Sequence, residues 1–461
     1  MTDGYDLVVI GGGAAGLGAA RAGAGAGART LLVTDGPPGG DCTFTGCVPS
    51  KALIEAAAQR LTFPAAAQRV RDAIATIAAT ENEAALRAEG IDVRRGRARF
   101  TAPNRLDIDG INLPARRIVI ATGASPAIPP LPGLSHVPYL TTETVFDLTD
   151  LPRSLAVLGG GSVGCELAQA FSRLGSRVTL IEPADRLLAA EEPHASRVIA
   201  DVFAREGIDV RVGTRALDAA TDPAGGVRLT LDNGADVTAD GLLVATGRRP
   251  TTAGLDLERA GIAVDERGRI VTDHHLATTT PGIYAAGDVT GLMPFTHAAF
   301  AMGRLAAGNT LSRRRHRYDP RATPRVTFTD PEVAHVGMTK AEAAAHGARV
   351  AYLPMTEMDR AITAAATDGF IQLIAGPHRL LRNLGGGRVL GATIVATRAG
   401  EMIHEPALAM ATGMFTGRLA QATHAYPTWS YGIQLATAQF FTTIGGRRAR
   451  PARADDRPSR F

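Results

Sequence analysis

The chain has 461 residues, 45% of them hydrophobic, enough for roughly three domains of ~150 residues, which excludes a disordered tail or a small stapled scaffold. Its three cysteines (Cys42, Cys47, Cys165) cannot build a secreted disulfide framework, and no cysteine–histidine cluster has zinc spacing, so no metal site is expected. A formal charge of +4 demands neither nucleic acid nor membrane as a partner, and only Lys51 and Lys340 are lysines among 49 basic residues.

The first predicted element is the apolar run at residues 7–10. The apolar stretch it opens, Leu7 to Ala20, is broken by glycines, follows acidic residues and is too short to span a bilayer, which predicts a cytoplasmic protein rather than a leader or anchor. Gly11, Gly13 and Gly16 then take GxGxxG spacing, a helix-like segment follows, and a second apolar run ends at Thr34, 23 residues after Gly11. The pattern recurs with Gly159, Gly161 and Gly164, and Glu182 lies 23 residues after Gly159. One such motif alone is weak evidence, because a glycine-rich strand-to-helix turn has the same spacing. Two with matched spacing predict two β-α-β dinucleotide units, whose helix amides face a pyrophosphate.

Between the units, residues 39–58 read GGDCTFTGCVPSKALIEAAA, placing Cys42 and Cys47 five positions apart where a turn leads into a helix. A thiolate at a helix N-terminus is favoured by the helix dipole. The alternative is two unrelated buried cysteines. Cys165, inside the helix of the second unit, reads as a small buried hydrophobe. Two further strands end in Ala-Thr-Gly, at Thr122–Gly123 and Thr246–Gly247, and the segment GIYAAGDV ends at Gly287, Asp288 and Val289. Proline-rich stretches near 130–132 and 152 read as linkers, and the Arg313–Arg317 run as a solvated connection. From Val326 alternating apolar strands and helices predict an α+β domain, and residues 446–461 predict a disordered basic tail.

On these motifs, from Tyr5 to about Phe441, the chain resembles the FAD-dependent pyridine nucleotide-disulfide oxidoreductases, the family of lipoamide dehydrogenase, glutathione reductase and mercuric reductase. The resemblance implies an α/β fold with two Rossmann-like dinucleotide-binding domains and a C-terminal α+β dimerisation domain. The expected boundaries are 1–150 and 271–320 for the FAD domain, 151–270 for the NAD(P)H domain and 321–445 for the dimerisation domain. It also implies a Cys42/Cys47 redox disulfide and a homodimer whose C-terminal domain completes the partner's site. Cys47 is similar to the cysteine packed on the flavin, Cys42 to the interchange cysteine, Lys51 to the lysine near flavin N5 and Glu166 to its carboxylate partner. Gly11, Gly13, Gly16, Gly40, Asp41, Lys51, Thr122, Gly123, Gly159, Gly161, Gly164, Glu182, Gly247, Gly287 and Asp288 match cofactor-binding positions. Thr34 stands where the family has a ribose-binding glutamate, with Asp35 one residue late. Asp41 replaces the family's threonine.

Glu182 can accept hydrogen bonds from a ribose 2′-hydroxyl and repels a 2′-phosphate, which favours NADH over NADPH; Arg186 is near enough in sequence to blunt that repulsion. The segment HAYPTWSY from His424 resembles the family's HAHPTLSE, whose second histidine and glutamate form the acid/base pair. Tyr426 and Tyr431 occupy those two positions, and His424 matches only the first histidine. A phenol with an ordinary pKa of about 10 is a poor proton shuttle at neutral pH. The expectation is an NADH-dependent FAD disulfide oxidoreductase of the mercuric reductase-like branch, with Cys42, Cys47, Lys51, Glu166, His424 and Tyr426 as catalytic candidates. Its acceptor is a small-molecule disulfide, a quinone or a metal ion. The alternatives are a diaphorase-like flavin enzyme that bypasses the cysteines, and a non-catalytic flavin redox sensor.

Overall fold

In the computed structural model of the chain, which describes residues 4–223, 225–378 and 380–453, the first apolar run forms β1 (Leu7–Ile10), followed by α1 (Ala14–Gly25) and β2 (Thr30–Thr34). All residues of both strands are buried, as befits a parallel sheet covered on its two faces. After α2 (Gly40–Phe44), α3 (Cys47–Ala58) and α4 (Phe63–Glu81) come β3 (Ile91–Arg95), β4 (Ile118–Ile120) and β5 (Ala124–Pro126). The second unit supplies β6 (Ser154–Leu158), α5 (Ser162–Leu174), β7 (Arg177–Glu182), β8 (Asp209–Val212) and β9 (Gly241–Val244). Then come β10 (Arg248–Pro250), β11 (Ile283–Ala285) and the long α6 (Thr296–Leu311).

The first sheet has the order β11-β4-β1-β2-β3, entirely parallel. Its strands alternate between two cores: Val8 and Ile10 pack with Phe100, Leu106 and Ile283, while Leu7 and Val9 pack with Leu17, Met302 and Ala306. Helices α1 and α6 approach almost backbone to backbone. A Cβ at Gly18 would lie 2.4 Å from the Phe300 carbonyl oxygen, and one at Gly303 1.9 Å from that of Ala15. The second sheet has the order β8-β7-β6-β9, again parallel, with its own core around Leu158, Ile181, Leu229 and Leu242.

The C-terminal part forms a six-stranded antiparallel sheet from β12 (Arg325–Thr327), β13 (Glu332–Gly337), β14 (Arg349–Pro354), β15 (Phe370–Gly376), β16 (Arg388–Ala396) and β17 (Arg450–Pro451), in the order β12-β13-β16-β15-β14-β17. Helices α7 (Asp359–Thr363), α8 (His404–Ala411) and α9 (Tyr431–Ala438) belong to the same region.

Two compact units result. Met1–Pro129, Leu140–Leu151 and Thr246–Pro320 form one; Pro130–Tyr139, Pro152–Ala245 and Arg321–Phe461 form the other. The changes of unit after Pro129 and Leu151 fall in the proline-rich linkers. The return to the first unit comes at Thr246, earlier than the boundary expected at 271, because the second Ala-Thr-Gly segment leads into β10, which pairs with β5. The tail also departs from expectation. Arg450 and Pro451 add a strand to the edge of β14, with the Ala449 N–H donating to Gln439 and the Ala452 N–H to Ala348, so backbone pairing outweighs the low apolar content there. The remainder of the expected disordered segment, 454–461, lies outside the described residues. Among the described residues no helix is long and apolar enough to cross a membrane, and no group of three or more His, Cys, Asp or Glu side chains is placed to hold a metal ion.

Candidate active site

The two glycine turns are built alike. Gly11 and Gly159 have φ of +111° and +110°, which only glycine adopts without strain. A Cβ on Gly16 would lie 1.7 Å from the Gly11 carbonyl oxygen, and one on Gly164 1.8 Å from that of Gly159, so each helix seats directly on its turn. At Gly13 and Gly161, the caps of α1 and α5, an added Cβ meets nothing within 4 Å. Neither helix has a side-chain cap or an acidic residue in its first turn. Both therefore present open N-terminal amides, which fits a pyrophosphate in each turn.

The strand ends differ. Glu182 is held by its own turn: Oε2 accepts from the Gly160 N–H at 2.6 Å and Oε1 from the Ala184 N–H at 2.7 Å. Each oxygen keeps a further lone pair that can accept from a hydroxyl donor. Arg186 donates to the Ala189 carbonyl at 2.7 Å and lies 3.5 Å from Asp185, so its charge is engaged within its own loop. In the first unit Thr34 is buried and its hydroxyl donates to the Gly36 carbonyl at 2.9 Å, which closes the turn, while Asp35 is exposed.

Cys42 lies in α2 and Cys47 is the first residue of α3. Both are thiols in this structure, Cys47 being exposed. Cys42 donates a hydrogen bond to Cys47; this bond, then burial, pushes the Cys42 thiol above its ordinary range, while a hydrogen bond from Thr296 opposes the rise. Cys47 Sγ and Thr296 Oγ1 share a hydrogen bond at 3.2 Å. Thr296 opens α6, so it joins two helix starts at the sulfur pair. Lys51 lies one turn along α3 from Cys47, its ammonium 3.3 Å from the Ser50 hydroxyl. Glu166, in α5 of the other unit, is buried and accepts from the Phe328 N–H at 2.9 Å. Cys165 is fully buried beside it, its thiol directed at the Gly160 carbonyl and pushed up by burial.

The two Ala-Thr-Gly segments come together in the first unit. Thr122 donates to the Thr251 carbonyl at 2.6 Å, the Thr251 N–H returns to Gly123 at 3.0 Å, and the Ala127 N–H donates to Gly247 at 2.9 Å. Gly287 fits between α1 and α6, where a Cβ would meet Ala15 at 2.9 Å. Gly40 packs on the first turn, its hypothetical Cβ 2.7 Å from the Gly13 Cα. Next to it Asp41 is ion-paired with Arg248, whose Nε lies 3.5 Å from Asp288. Burial pushes the Asp288 carboxyl up, Arg248 opposes this and Asp41 adds to it.

The C-terminal candidates meet unexpected partners. His424 Nε2 lies 2.9 Å from Glu405 Oε2 and Nδ1 2.9 Å from the Ala422 carbonyl oxygen. Both neighbours are acceptors, so the imidazolium form of the ring can donate from both nitrogens. Burial lowers its pKa, but the bonds to Glu405 and Ala422 outweigh this and leave it raised. With both nitrogens hydrogen-bonded, His424 braces this segment. Tyr426 is 65% exposed, meets Tyr431 edge-on at 5.8 Å, and donates to Asp359 Oδ2 at 2.6 Å. That bond and the Asp359 charge push the phenol still higher. Sequence reasoning missed Thr296, Arg248, Glu405 and Asp359. Only Arg248 had a signal, because a carboxylate at 41 in place of threonine asks for a counter-ion.

Comparison with known proteins agrees with this geometry. The mercuric reductase of Streptomyces lividans is 39% identical over 471 residues, covering 95% of this chain and 97% of that protein. The dihydrolipoyl dehydrogenase of Thermus scotoductus is 35% identical over 460 residues, covering 94% and 96%. Among solved structures, the Cu(II) complex of the HOCl-induced flavoprotein disulfide reductase RclA from Escherichia coli superposes with a TM-score of 0.86 at 30% identity, covering 95% of this chain and 99% of the other. The family model for pyridine nucleotide-disulphide oxidoreductases matches residues 5–303, and that for their dimerisation domain matches 323–437. Paired glycine turns, a vicinal dithiol beside the first turn and a C-terminal dimerisation domain thus place this chain in the class I pyridine nucleotide-disulfide oxidoreductases, as an FAD-dependent enzyme that works with a pyridine nucleotide.

Proposed function

We propose that the chain is an NADH-dependent, homodimeric FAD oxidoreductase of the mercuric reductase-like branch, whose Cys42/Cys47 pair delivers electrons to a thiophilic metal ion. The observation that carries this reading is the sulfur pair itself: two hydrogen-bonded sulfurs at the start of α3, with no histidine shuttle at position 426. Disulfide acceptors require protonation of a leaving thiol, whereas a soft metal ion requires two sulfur ligands and two electrons. With mercuric ion the balance is NADH + Hg(II) → NAD⁺ + H⁺ + Hg(0). The relatives named as mercuric reductases, and the neighbour solved with Cu(II), support the same acceptor class.

FAD, when bound, supplies the two-electron relay between nicotinamide and sulfur. The first glycine turn and Asp288 would hold it, and Lys51, one turn along α3 from Cys47, would place a cation beside it. Glu182 would accept the hydroxyls of the NADH ribose, and the engagement of Arg186 with Ala189 and Asp185 leaves the carboxylate to repel a 2′-phosphate. The hydrogen bond from Cys42 to Cys47 keeps the Cys42 proton in place until an acceptor arrives. In the Cys47→Ser protein, NADH-dependent reduction of mercuric ion should fall at least about 100-fold. A rate equal to the wild type would overturn the proposal.

A diaphorase-like reading is favoured by one observation: Tyr426 has its proton tied to Asp359 and its pKa raised, so transfer to quinones or dyes would need no residue of that segment. Quinone reduction unaffected by Cys42→Ala, together with absence of metal-ion reduction, would select it.

A further inference from the structure

Position 41 poses an electrostatic problem that the proposed flavin site must solve. Asp41 immediately precedes Cys42, and its neighbour Gly40 packs on Gly13 of the first turn, where the open helix amides fit a doubly charged pyrophosphate. A second carboxylate, Asp288, lies 3.5 Å from the arginine that pairs with Asp41. Two carboxylates and a pyrophosphate repel one another unless a cation stands among them. One does. Arg248, at the start of β10, reaches across to Asp41 and to the Ala124 carbonyl in β5 with Nη2, and its Nε lies 3.5 Å from Asp288. The planar fork of a guanidinium can address these acceptors at once, which a point-charge ammonium cannot. Arg248 and Asp288 are 31% and 21% exposed and Asp41 is 48% exposed, so solvent screens Asp41 more than the other two.

We propose that Arg248 is the counter-ion that makes a carboxylate at position 41 compatible with a bound flavin dinucleotide, a positioning residue shared between Asp41 and Asp288. The proposal rests on the flavin reading of the first unit and goes beyond it: flavin retention in this chain depends on a charge pair that a threonine at 41 would not need. Arg248 is then dispensable for flavin retention when Asp41 is gone.

The test is the rate at which purified holoprotein releases flavin on dilution, followed by recovery of free-flavin fluorescence, for the wild type, Arg248→Gln, Asp41→Thr and the double variant. Arg248→Gln should release flavin about tenfold faster, the scale of removing one partner from a partly buried ion pair. Asp41→Thr should release no faster than the wild type, and the double variant should return to within about threefold of Asp41→Thr, since the pair acts as a unit. Arg248→Lys should fall between wild type and Arg248→Gln. Wild-type retention in Arg248→Gln, or a double variant as leaky as Arg248→Gln, would overturn the proposal, the latter by showing that Arg248 acts through Ala124 or the flavin alone. If Arg248→Gln cannot be isolated with flavin, the double variant decides: flavin-loaded protein supports the pairing and its absence refutes it. A wild-type protein that carries no FAD would instead remove the flavin reading itself.

Discussion

The two glycine turns share a backbone and differ in chemistry. Gly11 and Gly159 have nearly the same φ, Gly16 and Gly164 press on the same carbonyl position, and both helices start uncapped. At the ends of their second strands, however, one unit has a buried hydroxyl closing its own loop and the other a carboxylate fixed by two N–H groups. The glycine pattern therefore specifies that a pyrophosphate can approach, and the strand end specifies which ribose is recognised. Under the proposed function, Thr34 would leave that task in the first unit to neighbours such as Asp35, whereas Glu182, held by two N–H groups, would take it in the second.

The largest effects should come from the shared geometry. Gly16→Ala and Gly164→Ala each force a methyl onto a backbone oxygen and should destabilise their units by about 3 kcal/mol. Thermal melts together with flavin content separate them: Gly16→Ala should purify without flavin, while Gly164→Ala should keep flavin and lose NADH-dependent bleaching. Flavin loss from both variants alike would mean that the turns do not serve separate cofactors. The strand ends should show smaller effects. Glu182→Ala should raise the KM for NADH about tenfold and narrow the gap to NADPH, through loss of hydrogen bonds to the ribose. Asp35→Ala should speed flavin release by about threefold only, because an exposed carboxylate gains little from one hydrogen bond. Equal effects at Asp35 and Glu182 would erase the distinction between the units.

The smallest change is expected outside both turns. Since the His424 pKa is raised, its pair with Glu405 contributes fully below the ordinary histidine value near 6.5 and is lost as pH rises through the raised value. His424→Gln should thus cost under about 1 kcal/mol at about pH 6 and converge on the wild type in alkali. A difference that grows with pH would show that the ring is not the imidazolium brace described here.

Both dinucleotide turns were legible from glycine spacing, and the cysteine pair from its position before a helix, because contacts a few residues apart follow from local backbone geometry. The C-terminal segment was legible only in part. The replacement of the family histidine by Tyr426 could be read, but not that Asp359 would take the phenol proton or that Glu405 would occupy His424. The tail was misread because composition measures apolar burial, and Arg450 and Pro451 are held by pairing to an edge strand.

The sequence by itself determined the family, the two glycine turns and the sulfur pair, all of them written in short-range spacing. The tertiary structure decided which charges meet. Asp41 and Arg248 lie 207 positions apart, and they become partners only because β10 returns to pair with β5 beside the first glycine turn. No local pattern encodes such a pairing, since it depends on strand order and on which carboxylate comes to lie beside the arginine.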